Sequence, residues 1–143
     1  RLASAEQFGA TVIPAGEGLL QQIMDRTNGE GAPVVVEATG SPQAMEQTVD
    51  LAAAGGRIVI LGLVKQGVKV SLAGLDFTRK EMTVVGSRAS VNCFPEALEL
   101  LANGAITYPQ VASEFSLWDA PRIFAGLADH SLSVHKAVFV REQ

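Results

Sequence analysis

Apolar positions along this chain follow two rhythms. Short continuous runs such as Val34-Val35-Val36 and Ile58-Val59-Ile60-Leu61 stop at a glycine, while the stretches between them carry apolar residues at helical spacing. A short apolar run closed by glycine is how a strand buried in a parallel sheet reads. The pattern predicts strands at Thr11–Ile13, Val34–Ala38, Arg57–Gly62, Met82–Val85 and Lys136–Val140. Val68–Ser71 alternates like a strand or an extended arm, after a turn at Lys65-Gln66-Gly67.

Helices are expected between these runs. Arg1–Phe8 reads as helical turns ended by Gly9, and Gly18–Thr27 carries Leu19, Leu20, Ile23 and Met24 before an Asn28-Gly29 stop. Ser41 is placed to cap a helix whose first turn holds Pro42, where the missing N–H is harmless. That helix is expected to reach about Ala54, with Met45, Val49 and Ala52 or Ala53 inward and Gly55-Gly56 as its end. Gly74–Lys80 predicts a short helix. Pro95–Ala102 predicts another, with Ala97, Leu98 and Leu101 inward and Asn103-Gly104 closing it. A last helix is expected over Trp118–Leu127, capped by Ser116, with Ile123, Phe124 and Leu127 as its apolar stripe. Strands alternating with helices indicate an α/β fold with a mostly parallel sheet.

Composition narrows the function classes. The 143 residues suffice for one domain with a real core, and 48% hydrophobic with 18% charged content belongs to globular proteins. No apolar run approaches the roughly 18 residues of a membrane span, and no secretory leader is visible, so a soluble, cytoplasmic protein is expected. A net charge of −4 with scattered Lys and Arg argues against nucleic acid. The single cysteine, Cys93, excludes an internal disulfide and a cysteine zinc cage, and reads as a small buried hydrophobe.

Candidate chemistry gathers at strand ends. Glu37-Ala38-Thr39-Gly40, Leu61-Gly62-Leu63 and Val84-Val85-Gly86-Ser87 repeat one design. Ligands of open parallel sheets lie beyond the carboxyl ends of strands, and glycine lets a flat ring or a ribose approach the main chain. Each glycine alone could simply end a strand; the repetition points to a ligand edge. Glu37 could bond a ribose, a backbone donor or Arg57. Arg88 stands near the same edge, either solvated or reaching a ligand. Gly16-Glu17-Gly18 follows a strand-like run, but Pro14, the acidic Glu17 and Gln21 in place of a third glycine make it an ordinary connection rather than a phosphate loop. Gly29-Glu30-Gly31 is a turn. His130 and His135 read as loop residues, and no nucleophile elbow, His-Glu-x-x-His or Cys-x-x-Cys is present.

Arg1-Leu2-Ala3 with Phe8-Gly9-Ala10, Val36–Gly40, Gly55–Val59, Lys80–Arg88 and Lys136-Ala137-Val138, taken in order, resemble the medium-chain dehydrogenase/reductase superfamily. The zinc-dependent alcohol and polyol branch is most similar, and Gly86-Ser87-Arg88 with Asn92 and Phe94-Pro95 resembles sugar-alcohol, sugar-acid and threonine dehydrogenases. The resemblance implies NAD or NADP as cofactor and hydride transfer to or from a small secondary alcohol or polyol. It places Arg1 beside the adenosine, and Ala38, Thr39 and Gly40 along the adenine ribose. Leu61 and Thr83 would accept from the nicotinamide carboxamide through their carbonyls, Val85 would donate its N–H, and Gly62, Leu63 and Gly86 would complete the wall. Lys136 would lie near the pyrophosphate.

In that family the zinc ligands, the proton relay, the glycine-rich phosphate loop and the ribose-binding acid precede the residues matched by Arg1. The resemblance therefore implies a partial Rossmann domain lacking its first two strands, no catalytic residue or zinc on this chain, and no activity by itself. In the usual doubly wound order those two strands lie between the third and the fourth. Their absence would leave Val34–Ala38 as an apolar edge, either paired in a homodimer or higher oligomer or covered by the N-terminal residues. Two other readings stay open: a non-catalytic assembly or ligand-sensing domain, and part of a zinc-free quinone or enoyl reductase of the same superfamily.

Overall fold

A computed structural model describes residues 2–106 and 112–141. Arg1, expected beside the adenosine, lies outside them. The chain forms two compact units, Ile13–Ser90 and the combination of Arg1–Val12 with Val91–Gln143.

In the Ile13–Ser90 unit, helices alternate with parallel strands, as the apolar rhythm predicts. The elements are α2 (Leu19–Arg26), β1 (Ala32–Glu37), α3 (Pro42–Leu51), β2 (Ala52–Ile60), α4 (Gly74–Arg79) and β3 (Thr83–Gly86), α1 belonging to the other unit. The sheet order is β1-β2-β3, with both pairs parallel. Ser41 caps α3 by accepting from the Ala44 amide at 3.4 Å, and Pro42 occupies its first turn. The core lies on one sheet face. Val49, Ala52, Ile58 and Met82 are buried there, with Val35, Ile60, Phe77 and Val84 packed against them. The opposite face carries Val34, Val36 and Val85, which are exposed.

Three expectations change in this unit and in the residues just before it. Thr11–Ile13 forms no strand, because an apolar triplet without a ladder partner cannot satisfy its backbone as one. Val68–Ser71 is irregular, held to α3 by the Ser71 amide donating to Glu46 Oε1 at 3.0 Å. Gly55-Gly56 does not end α3: the helix stops at Leu51 and β2 begins at Ala52. The register then jumps, with Ala32 opposite Ala52 but Val34 opposite Arg57. Gly55 absorbs the irregularity in the left-handed region at φ +69°, and its amide donates to the Lys80 carbonyl at 2.6 Å.

The other unit holds α1 (Leu2–Gln7), α5 (Phe94–Ala102), β4 (Ser113–Ser116), a 3₁₀ turn (Leu117–Asp119), α6 (Ala120–Ala128) and β5 (Ala137–Val140). β4 pairs with β5 in parallel, Phe115 opposite Phe139. Ile123 is fully buried, and the Phe139 ring lies 5.6 Å from Phe124 and 6.4 Å from Phe115. β4 escapes sequence reading because Ser-Glu-Phe-Ser offers one apolar residue and no period. The Ser116 side chain makes no cap, since a 3₁₀ turn intervenes before α6. Leu98 and Leu101 of α5 are exposed rather than inward, as is Phe124, and Cys93 is exposed rather than buried. Helical spacing marks an apolar stripe without naming what covers it.

Candidate functional site

Parallel pairing brings the ends of β1, β2 and β3 to one level: Glu37 lies opposite Ile60, and Ile60 opposite Gly86. The segments that follow, Ala38–Gly40, Leu61–Leu63 and Ser87–Ala89, emerge from a single sheet edge. Ala38, Thr39, Leu61, Leu63, Val85 and Gly86 are all exposed there, Leu63 at 72%. An edge of free main chain flanked by apolar side chains can hold a flat ring and a hydroxylated sugar.

Glu37 organises this edge from beneath. It is 4% exposed. Its Oε1 accepts from the Thr39 amide at 2.7 Å, from the Thr39 hydroxyl, and from the Gly40 amide at 3.1 Å. Thr39 Oγ1 in turn accepts from the Ser41 amide at 3.0 Å, which links the carboxylate to the cap of α3. The Glu37 carbonyl accepts from Leu61 at 2.8 Å and from Gly62 at 3.1 Å, tying the end of β1 to the end of β2. Burial acts to raise the Glu37 pKa, but the donors of Thr39, Gly40 and Gly62 together outweigh it and hold the carboxyl below its ordinary value. Of the partners open to Glu37 in the sequence, the structure selects backbone donors, with no ion pair to Arg57.

The glycines at this edge serve different ends. Gly40 has φ +73°, and a Cβ added there would stand 2.6 Å from the Leu63 carbonyl oxygen. A Cβ at Gly62 would collide with the Gly40 amide and the Glu37 carboxylate. These two glycines let the turns after β1 and β2 touch each other. Gly86 differs, since a Cβ there meets nothing within 4 Å. It is the one facing open space.

Thr83 and Val85 sit lower on β3. Thr83 lies opposite Arg57, three residues before the edge, and Val85 lies opposite Val59. The Ser87 amide donates to the Ile60 carbonyl at 2.9 Å. Backbone groups alternate sides along a strand, so the Val85 amide and the Thr83 carbonyl also point toward β2, inside the ladder. Beyond the last rung stand Ser87 and the residues that follow it, where β3 has ended. Ala89 has a left-handed φ of +59°. Ser87 closes one of the three glycine-marked strand ends that the sequence singles out, and the register puts it level with the other two.

Lys136 is exposed and precedes β5 in the other unit. His135 of that unit shares a 2.8 Å hydrogen bond between its Nε2 and Ser4 Oγ, which joins α1 to the approach of β5. Among the described residues, no three His, Cys, Asp or Glu side chains converge to hold a metal ion. No helix among them is long and apolar enough to cross a membrane.

Known proteins match this arrangement. The family of zinc-binding dehydrogenases matches residues 1–103. An L-threonine 3-dehydrogenase of Bacillus licheniformis is 36% identical over 110 residues, covering 74% of this chain and 32% of that enzyme. The crystal structure of 2R,3R-butanediol dehydrogenase from Bacillus subtilis superposes with a TM-score of 0.82 at 25% identity, covering 99% of this chain and 40% of that one. A zinc-binding dehydrogenase from Sinorhizobium meliloti, bound to NADP, superposes with a TM-score of 0.65 at 31% identity over 86% of this chain and 33% of its own. The chain spans less than two fifths of the length of the curated relatives it matches, from 23% to 38%. The α/β architecture and its parallel sheet are those of the Rossmann-type domain of these enzymes, and the chain belongs to the family of zinc-binding dehydrogenases.

Proposed function

We propose that this chain is the cofactor-binding part of an NAD(P)-dependent alcohol or polyol dehydrogenase, with the dinucleotide lying along the carboxyl edge of β1–β3. The observation that carries the reading is the register that ends all three strands at Glu37, Ile60 and Gly86, with open main chain above them. Ala38, Thr39 and Gly40 form the ledge for the adenine ribose, and Leu61, Gly62, Leu63 and Gly86 form the wall for the nicotinamide. The carboxamide lies where the β3 ladder ends, against the main chain of Leu61 and of the residues that follow Gly86, while Thr83 and Val85 hold the strand in place beneath it.

When bound, the nicotinamide supplies the hydride chemistry. The chain's own part is to fix the ring through main-chain bonds and to shield one of its faces with Leu61 and Leu63. The named activities of the relatives, on a hydroxy amino acid and a vicinal diol, support a small secondary alcohol as substrate. The family supports zinc as the metal of the complete enzyme, bound elsewhere than on the described residues. The edge of β1, unpaired among the described residues, supports a homodimer joined sheet to sheet.

Titration with NADH and NADPH, followed by amide chemical shifts, tests the reading. Saturable shifts are expected at Ala38–Gly40, Leu61–Leu63 and Gly86–Ala89. Absence of shifts at millimolar cofactor, or shifts confined to other segments, overturns it and favours a non-catalytic role for the fold.

A further inference from the structure

A carboxylate this buried needs either a cation or a dense set of donors. Among the described residues no cation pairs with Glu37, and its donors are the Thr39 amide, the Thr39 hydroxyl and the Gly40 amide. These are the groups that a turn at a strand end would otherwise aim at a ligand. Taken up by Glu37, these donors are withdrawn from any ligand, so the turn is left with its carbonyl oxygens to offer and a negative charge behind them. Such a surface accepts hydrogen bonds and repels anions.

Resting on the cofactor reading above, we infer that Glu37 is the positioning residue of the ledge formed by Ala38–Gly40 and Leu61–Leu63, and that it adapts this ledge to the ribose diol of the dinucleotide rather than to a phosphate. Glu37 acts through its neighbours and need not touch the ligand. Its carboxylate holds the turn after β1, and its carbonyl holds the amides of Leu61 and Gly62. One residue thus sets both halves of the ledge. The close fit of Gly40 against Leu63 depends on that grip, because neither turn has another side-chain tether across the gap. An amide whose oxygen takes the place of Oε1 would keep these donors without the charge, and its NH₂ group would stand against the Gly40 amide where Oε2 now lies at 3.3 Å, which loosens the grip on the turn.

The test uses the 143-residue chain and amide chemical shifts, at a temperature well below the melting point of each variant. Wild type and Glu37→Gln are titrated with NADH and, separately, with inorganic pyrophosphate. NADH is expected to bind Glu37→Gln about tenfold more weakly, the loss of one charge-assisted hydrogen bond. Pyrophosphate is expected to leave Thr39 and Gly40 unmoved in wild type and to shift both in Glu37→Gln, which a purely structural role would not produce. If Glu37→Gln does not fold, Thr39→Val serves instead, with a similar loss expected and rescue by Thr39→Ser. Unchanged NADH affinity in Glu37→Gln or Thr39→Val overturns the inference and leaves the cofactor reading standing. Wild type that shows no NADH-induced shift between Ala38 and Ala89 overturns the cofactor reading and this inference with it.

Discussion

Lys80 Nζ donates to the Ala52 carbonyl oxygen at 2.9 Å, and the same ammonium reaches the carbonyls of Val49 at 2.9 Å and Asp50 at 3.3 Å. One cation therefore caps the carboxyl end of α3, where unpaired carbonyls and the helix dipole concentrate negative charge. Because Lys80 lies just ahead of β3, it also joins α3 to the far side of the sheet. Lys80→Met keeps the stem and removes the charge. It is expected to lower stability by about 1–3 kcal/mol in urea denaturation. A change within error would show that water replaces the ammonium without loss.

Glu37 makes stability depend on acid. Its folded pKa is lowered from 4.5 by the donors of Thr39, Gly40 and Gly62, against the opposing effect of burial. A lowered carboxylate pKa contributes stability that is fully present above the unfolded value and is lost as pH falls through the folded one. Wild type should therefore lose stability relative to Glu37→Gln as pH is lowered below 4.5, and the difference should be constant above about pH 6. Thermal melts of both proteins between these limits check the sign. A difference that grows with rising pH above neutrality would contradict it.

Glycines at the sheet edge should respond in opposite ways to alanine. Gly62→Ala forces a Cβ into the Gly40 amide and the Glu37 carboxylate. It is expected to cost about 3 kcal/mol, at the upper end for overpacking, because backbone cannot swing aside as a side chain can. Gly86→Ala adds its Cβ to open space and should stay within about 0.5 kcal/mol of wild type. Any weakening of NADH binding in Gly86→Ala then reports on ligand contact rather than folding. Denaturation midpoints and cofactor titrations on the two variants separate these effects.

Val34 and Val36 are 56% and 55% exposed on a strand whose outer edge is unpaired among the described residues. Concentration-dependent association is expected by light scattering, and Val36→Lys should shift it toward monomer. A wild type that stays monomeric at the highest soluble concentration would remove the dimer from the proposal.

Much of the fold was legible along the chain because its signals are local. The α3 cap at Ser41-Pro42 depends on a hydroxyl beside the first helical turn, and it forms where the sequence places it. The runs at Val34–Val36 and Ile58–Ile60 are strands because continuous apolar character suits a parallel sheet. Other elements were not legible. Glu114-Phe115 forms a strand only because Val138-Phe139 lies beside it. Thr11–Ile13 looks as strand-like as Met82–Val85, yet it lacks a neighbour to pair with.

The sequence by itself determined the α/β class, the alternation of helix and parallel strand, the glycine-closed strand ends and the resemblance to a dehydrogenase cofactor domain. Each rests on periodicity or on the conformational limits of single residues. Only the tertiary structure decided that Glu37 bonds to Thr39 and Gly40, that Gly40 and Gly62 fit against each other while Gly86 stays open, and that Thr83 and Val85 lie within the ladder below the edge. Those outcomes depend on register between strands far apart in sequence. An apolar pattern specifies which face of a strand is buried, but not how far that strand slides along its neighbour.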